Sequence, residues 1–229
     1  MRVRVDVEAD VRSLSWSDVH GPARGVVYGL LSSHDADLAR RLHDEGWNGQ
    51  SLKPLGMTSP QFRGARRVKG VYTTSADGSV WFGSPAPELA AALVSSLSKR
   101  TEIRWGAARL RVRGVALDVT TPSPSGPVEL ATLTPVIVKG ENGYLLPEDE
   151  LYLDRLRHNL AHKASVLGLP APTGVRVLEA GPRRKFTVRG APRIGALVRV
   201  SMDADGRFVD ALRSWGLGLD TMQGFGWIK

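Results

Sequence analysis

The sequence predicts an α+β protein of two tandem ferredoxin-like (RRM-like) units, each ordered β-α-β-β-α-β, with a glycine-rich loop near the C-terminus. Three observations carry this. Segments of strand and helix periodicity follow that order over residues 1–120. The same order returns, less regularly, over residues 128–229. Between them lies Thr121-Pro-Ser-Pro-Ser-Gly-Pro127, whose prolines remove donors and fix φ, so no helix or central strand runs through it. It is read as a linker, 121–127, between an N-terminal domain, 1–120, and a C-terminal domain, 128–229. A single α+β domain with an irregular middle uses the same elements and stays open as the simpler alternative.

Taken in order, Arg2 to Glu8 alternates, with Val3, Val5 and Val7 on one face of a half-buried strand. Gly25 to Leu31 sets Val26, Val27, Leu30 and Leu31 at helical spacing. After Ser32-Ser-His34, Asp35 is placed to cap a second helical stretch through Leu38 and Leu42. Lys69–Thr74 and Ser79–Gly83, with Ser75-Ala-Asp-Gly78 between them, read as a hairpin. Pro87 to Leu97 is an Ala- and Leu-rich helix with proline at its start, and Leu110 to Val119 is the last strand of the first unit. In the second unit Val128–Val138 is a strand interrupted at Pro135, and Glu150–Leu167 is a long helix. Val175–Leu178, Lys185–Arg189 and Ala196–Met202 are strands, Arg207–Trp215 is a helix, and Phe225–Ile228 closes the chain as a short strand.

Composition narrows the function. The 229 residues contain no cysteine, which excludes a disulfide scaffold and every thiolate metal site. With 42% hydrophobic and 24% charged residues the chain is that of a globular protein with a core. Its start alternates polar and apolar residues, unlike a signal peptide, and no apolar run approaches the roughly 20 residues that span a bilayer, so a cytoplasmic protein without a membrane partner is expected. Lys plus Arg number 31 against 23 Asp plus Glu, a net +8, split +5 and +3 between residues 1–120 and 121–229. Such an excess suits a polyanion, most simply nucleic acid. It is also what GC-rich coding produces, since 24 of the 31 cations are Arg in a chain rich in Ala, Gly and Val.

The most informative segment is Trp215-Gly216-Leu-Gly218-Leu-Asp-Thr-Met-Gln-Gly224-Phe-Gly226-Trp227. Two Gly-x-Gly pairs flank a five-residue centre, so the backbone can approach a phosphate and turn N–H groups toward it. It is not a dinucleotide fingerprint, because it follows a helix and leads into the last strand, and no Gly-Lys-Ser/Thr makes it a Walker loop. A tight turn needing positive φ accounts for one or two of the glycines and poorly for all four. The loop holds no Lys or Arg, so its neutralising groups are expected to be backbone N–H, with Arg213 the nearest cation in sequence.

This arrangement resembles the C-terminal glycine-rich loop of the RAMP superfamily of CRISPR-associated proteins, and within it the repeat-RNA-processing endoribonucleases, the sixth Cas family. Arg24-Gly25-Val-Val-Tyr28-Gly-Leu-Leu31 is similar to that family's first helix, and Leu38-Ala-Arg-Arg-Leu42-His43-Asp44-Glu45-Gly46 to its helix end. Leu52-Lys53-Pro54 with Ser59 is similar to the segment that follows, and Leu133-Thr134-Pro135-Val136 to the strand opening its second domain. The resemblance implies cleavage of CRISPR repeat RNA without metal or cofactor. The 2′-OH upstream of the scissile phosphate attacks in line and leaves a 2′,3′-cyclic phosphate, which DNA lacks the nucleophile to do. It also allows partners beyond the precursor: the processed RNA, and other subunits of an RNA-guided interference complex. Its alternative function is a non-catalytic RAMP subunit that binds guide RNA structurally.

The resemblance makes His43 the catalytic acid or base, because an imidazole titrates near neutrality. Lys53 would stabilise the charge of the transition state, and Tyr28 would align a phosphate oxygen or the 2′-OH. The segment Asp44–Leu52 is longer than in the members it resembles, which leaves the register of Lys53 open. His20 and His34 are the substitutes for His43. His158 and His162 share a helix face at i, i+4, but His-Asn-Leu-Ala-His lacks the Glu and the third ligand of a zinc site, so no metal is expected. Arg155, Arg157 and Lys163 read instead as a basic face toward RNA or solvent. Two further clusters, Arg63, Arg66, Arg67 with Lys69 and Arg183-Arg184-Lys185, together with Gly216, Gly218, Gly224 and Gly226, complete the candidate RNA-binding set.

Overall fold

In the computed structural model, residues 1–68, 70–119 and 121–229 are described; Lys69 and Thr120 lie outside them. Two hydrophobic cores form, the first drawn from residues 3–110 with Met222 added, the second from residues 130–228.

The first core sits under an antiparallel sheet. Strand β1 (Arg2–Ala9) is central because Val3, Val5 and Val7 bury completely on one face. The elements that follow are helices α1 (Ala23–His34) and α2 (Ala36–Asp44), strands β2 (Gly56–Met57), β3 (Gln61–Phe62) and β4 (Gly78–Gly83), helix α3 (Pro87–Leu97), and strands β5 (Glu102–Trp105) and β6 (Ala108–Asp118). Their order across the sheet is β2-β4-β1-β6-β5, with β3 also on β4. Val3 faces Phe82 on one side and Leu117 on the other, and Val5 faces Val80 and Val115. Helix α1 buries Ala23, Val27, Leu30 and Leu31, one stripe at i, i+4, i+7, i+8, and α3 packs beside it. Asp35 caps α2 as expected, its carboxylate accepting from the Leu38 N–H at 2.9 Å.

The second core repeats the plan with a three-stranded sheet. Its strands are β7 (Gly126–Ala131), β8 (Thr173–Ala180) and β11 (Val198–Ala204), ordered β7-β11-β8, backed by helices α4 (Tyr152–Val166) and α5 (Gly206–Trp215). Between β8 and β11 a separate hairpin projects, β9 (Arg184–Val188) and β10 (Ala191–Gly195). The linker docks on α5: Ser123 donates through N–H and Oγ to Asp210, at 3.2 and 2.7 Å. A small third cluster, Ile137, Phe186, Val188 and Phe225, has Trp16 packed against it from the other half.

Four expectations need correction. The hairpin of Lys69–Thr74 with Ser79–Gly83 does not form. Val71–Thr73 pairs with Ser13–Ser15 and Arg67–Val68 in a separate sheet, while β4 pairs with β2 and β3. The buried edge of the main sheet needs apolar side chains, which Met57 and Phe62 supply and the half-exposed Val71–Thr73 does not. Phe225–Ile228 is no strand: only Ile228 bridges, to Thr132, because Gly224 and Gly226, both at positive φ, turn the chain there. β7 begins inside the expected linker, taking Gly126 and Pro127. Strands β5 and β10 were not read from the sequence, the latter because Pro192 and Arg193 disguise it. Among the described residues no helix is long and apolar enough to cross a membrane.

Candidate functional site

Tyr28 lies in the middle of α1, His43 in the last turn of α2, and Lys53 on the extended segment that enters β2. What joins them is a reversal at Trp47–Gln50, where the two residues exchange backbone hydrogen bonds of 3.0 and 2.9 Å around Asn48 and Gly49, both at positive φ. That is the turn Asn-Gly favours. It folds the long Asp44–Leu52 segment back, so that Lys53 Nζ donates to Tyr28 Oη at 3.0 Å and to the His43 carbonyl at 2.9 Å. The His43 imidazole stands edge-on to the Tyr28 ring, centroids 5.2 Å apart, and is exposed to solvent. Arg24, one turn before Tyr28, holds its guanidinium 5.6 Å from the same ring. The structure thus gathers all three expected catalytic residues and adds a cation beside them.

The other histidines part ways. His34 ends α1, exposed. His20 is 2% exposed and lies parallel to Phe225 at 4.3 Å and edge-on to Phe186 at 4.6 Å. Its Nδ1–H donates to the Gln223 carbonyl at 2.8 Å. Burial, opposed weakly by that bond, pushes its pKa down to about 4, so the ring is neutral and enclosed. It is a structural clamp and no substitute for His43. His158 is exposed and His162 half-buried on α4, and among the described residues no three His, Asp or Glu gather as metal ligands.

The glycine-rich segment is buried between the two halves, and this corrects its reading as an open phosphate cradle. Gly216, Gly224 and Gly226 spend their N–H groups on Leu212, Thr221 and Pro135 carbonyls. All four glycines have positive φ, and each approaches backbone too closely for a side chain: a Cβ on Gly224 would stand 2.7 Å from Ser59 N, and one on Gly226 1.8 Å from Leu217 O. A tight turn therefore explains four glycines after all, because two turns cross back to back. Nor is Arg213 its cation. That side chain is half-buried and close enough to Arg2 to repel it electrostatically, and Arg2 is itself held 4.8 Å from both the Trp81 and Trp227 rings.

The cation at the loop is Lys163. Expected on an outward basic face, it is instead 1% exposed, its Nζ donating to Gly216 O at 2.6 Å and lying 4.8 Å from the Trp215 ring. Burial with no charged partner pushes its pKa down to about 7. It forms part of the wall of a cavity of about 470 Å³ between the halves, with Arg24 and Lys53 on one side and Lys139, Arg193 and Asp220 on the other. Arg193 Nε is 2.5 Å from Asp220 Oδ2, and its Nη1 donates to Tyr144 Oη at 3.1 Å. A smaller cavity of about 160 Å³ shares Arg24, Arg193 and Gln223 and adds Arg189. Arg24, Lys53, Lys139 and Arg193 against the one carboxylate of Asp220 give the larger cavity a net positive lining.

Residues 120–229 match the family model of CRISPR associated protein Cas6, C-terminal. The C-terminal half of the chain is a Cas6-type domain. Solved structures align along its whole length. A Cas6-related protein from Pyrococcus furiosus is 20% identical, with 100% of this chain and 97% of that one covered and a TM-score of 0.80. A RAMP protein described as binding different RNA substrates is 21% identical, covering 100% and 98%, TM-score 0.80. A product complex of Cas6 from Thermus thermophilus is 17% identical, covering 99% and 98%, TM-score 0.68. Among curated proteins none matches.

Outside this Cas6-type domain and on it, the two outlying basic clusters are exposed and approach each other across the halves. Arg63 is loosely paired with Asp77 at 3.8 Å, Arg66 is exposed, and Arg67 sets its guanidinium 4.0 Å from the Trp16 ring centroid. Trp16 in turn donates its indole N–H to Lys185 O at 3.4 Å, and Arg183 and Arg184 are exposed beside it in sequence. The sequence reading missed Arg24, Lys139 and Arg193. Arg24 was within reach, four residues before Tyr28 on one helix face; the other two carry no local signal.

Proposed function

We propose that this chain is a metal-independent endoribonuclease that cuts CRISPR repeat RNA into guide RNAs. The RNA's own 2′-hydroxyl attacks the adjacent phosphorus, the P–O5′ bond breaks, and a 2′,3′-cyclic phosphate and a 5′-hydroxyl result. One proton leaves the 2′-oxygen and one reaches the 5′-oxygen. His43, exposed at the end of α2, is the side chain that exchanges a proton there, a role worth about 10² to 10⁴ in rate. Lys53 is fixed by Tyr28 Oη and the His43 carbonyl, so its charge is in place before the dianionic transition state forms. Tyr28 keeps its hydroxyl beside that ammonium, where it orients a phosphate oxygen. The observation that carries the reading is this bridging lysine at the wall of a cavity ringed by Arg24, Lys139, Lys163 and Arg193. Domains 1–120 and 128–229, joined by 121–127, each supply one side of the RNA path in this reading.

The test is cleavage of a repeat RNA in EDTA, with a 2′-deoxy nucleotide at the scissile position as control. Cutting of the ribo substrate alone is expected. Cutting of the deoxy substrate refutes the nucleophile, and binding without any cutting turns the chain into a guide-holding subunit.

A further inference from the structure

Trp16 occupies a place that packing alone does not require. It stands in a one-turn 3-10 helix, Trp16–Asp18, between exposed Ser15 and Ser17, yet it is where the two halves and both outlying basic clusters meet. One indole face stacks on Phe186 with centroids 5.2 Å apart and planes 17° apart. Phe186 continues inward, edge-on to His20 and Phe225, so that face rests on a buried aromatic column. The N–H to Lys185 O fixes the rotation of the ring. Among the described residues, the guanidinium of Arg67 lies over the ring 4.0 Å from its centroid, on a side chain that is otherwise exposed. A flat ring backed by Phe186, held in orientation and capped by a planar cation on an exposed side chain offers what a nucleobase needs for stacking, with little ordering left to be done on binding. Arg67 and Lys185 then stand at the rim, placed for the flanking phosphates.

We propose that Trp16 is the stacking site for one unpaired nucleobase of the RNA, the base taking the position of the Arg67 guanidinium, which moves to a phosphate. This rests on the reading of the chain as an RNA-binding enzyme and adds a subsite to it, made from both halves. Stacking of a base on an aromatic ring contributes roughly tenfold in affinity, and a base presents a larger face than the guanidinium it replaces.

The experiment is a scan of the repeat RNA with a single abasic nucleotide at each position in turn, measuring dissociation constants with the full-length protein and its Trp16→Ala variant. Wild type should lose about tenfold at one position. Trp16→Ala should bind intact RNA about as weakly as wild type binds that abasic RNA, and its penalty at that position should vanish. Trp16→Leu, which keeps apolar cover over Phe186, guards against loss of the fold and should give the same disappearance. The proposal falls if no abasic position matters to wild type, or if the penalty survives in both variants, in which case Trp16 only clamps the halves. If wild type neither binds nor cuts the intact repeat RNA, it is the proposed function that fails.

Discussion

Replacing Lys163 with methionine should flatten the dependence of stability on pH between neutrality and pH 9.5. In the unfolded chain the ammonium titrates near 10.5, and in the native state burial brings that down to about 7. Within this window the unfolded state holds a proton that the folded state has released, so stability rises with pH. Below pH 7 the amine is charged in both states and the desolvation penalty is constant; above 10.5 it is neutral in both and the penalty is gone. Each pH unit inside the window is worth about 1.4 kcal/mol, so from pH 7 to 9.5 this one group adds roughly 3 kcal/mol to wild type. Methionine keeps the length and apolar stem but cannot titrate. It also leaves the Gly216 carbonyl without its donor, a cost of about 1–3 kcal/mol that does not vary with pH. Urea unfolding of both proteins at pH 7 and 9.5 separates the two effects: the constant offset is the lost hydrogen bond, and the change in offset is the titration. Parallel stability curves would refute the reasoning, showing that water or a carboxylate reaches Lys163 in solution.

Three further outcomes are expected. His43→Ala should retain binding of repeat RNA while cleavage drops by about 10² to 10⁴; cutting at the wild-type rate transfers the role to exposed His34, since His20 is enclosed. The buried His20, with its pKa moved from 6.5 down to about 4, is neutral when folded and protonated when unfolded as pH falls through that interval, so wild type should lose up to roughly 3 kcal/mol there. His20→Asn, which can still donate to the Gln223 carbonyl, should show a shallower acid limb in denaturant titrations, and an unchanged limb counts against a buried neutral ring. Gly224→Ala should destabilise well beyond Gly64→Ala. Both sites have positive φ, a strain of about 1–2 kcal/mol for alanine, but Gly64 faces open space while a methyl on Gly224 meets Ser59 N at 2.7 Å. Equal melting temperatures for the two variants would contradict that packing.

Helices α1, α2 and α3 were legible because their cues are local: apolar spacing, Asp35 as a cap, Pro87 at a first turn. The hairpin failed where the cue is distant. β4 looks ready to pair with the nearest strand, but on the edge away from β1 its partners are two-residue strands with no pattern of their own, chosen because Met57 and Phe62 can bury. Lys163 was misplaced although the information was present. It follows Leu156 by seven residues, so at about 100° per residue it returns to within about 20° of the buried stripe of Leu156 and Leu160; its charge outweighed its position in the reading. The site divides the same way. Asn48-Gly49 is a recognisable reversal that brings Lys53 back to His43. Whether four glycines face a ligand or the protein depends on Ser59, Ile137 and Leu217, and the first two are far away in sequence.

The glycine-rich segment, though closed to phosphate, still bears on the chemistry, because it holds the lysine. Thr221, at its centre, donates its hydroxyl to Leu55 O at 2.7 Å in a buried position, and Ser84 Oγ donates to Pro54 O at 2.6 Å. Gly56 then passes so close to Trp215 O that a Cβ would stand 2.4 Å away. The three residues after Lys53 are therefore fixed from outside their own segment, two of them by the chain that runs into and through the glycines. A long lysine side chain carries about 2 kcal/mol of rotamer entropy; its bonds to Tyr28 Oη and His43 O order that side chain, and these contacts order the backbone from which it extends. Lys163 secures the Gly216 carbonyl at one end of the segment, and His20 the Gln223 carbonyl at the other. Both clamps are buried groups whose charge the interior disfavours, so both ends are firmest where neither is ionised. The residues assigned to the chemistry all come from the first 53 positions, but their geometry is set by contacts with the last 15. The interface between the halves thus positions the lysine proposed for catalysis as well as bounding the cation-lined cavity.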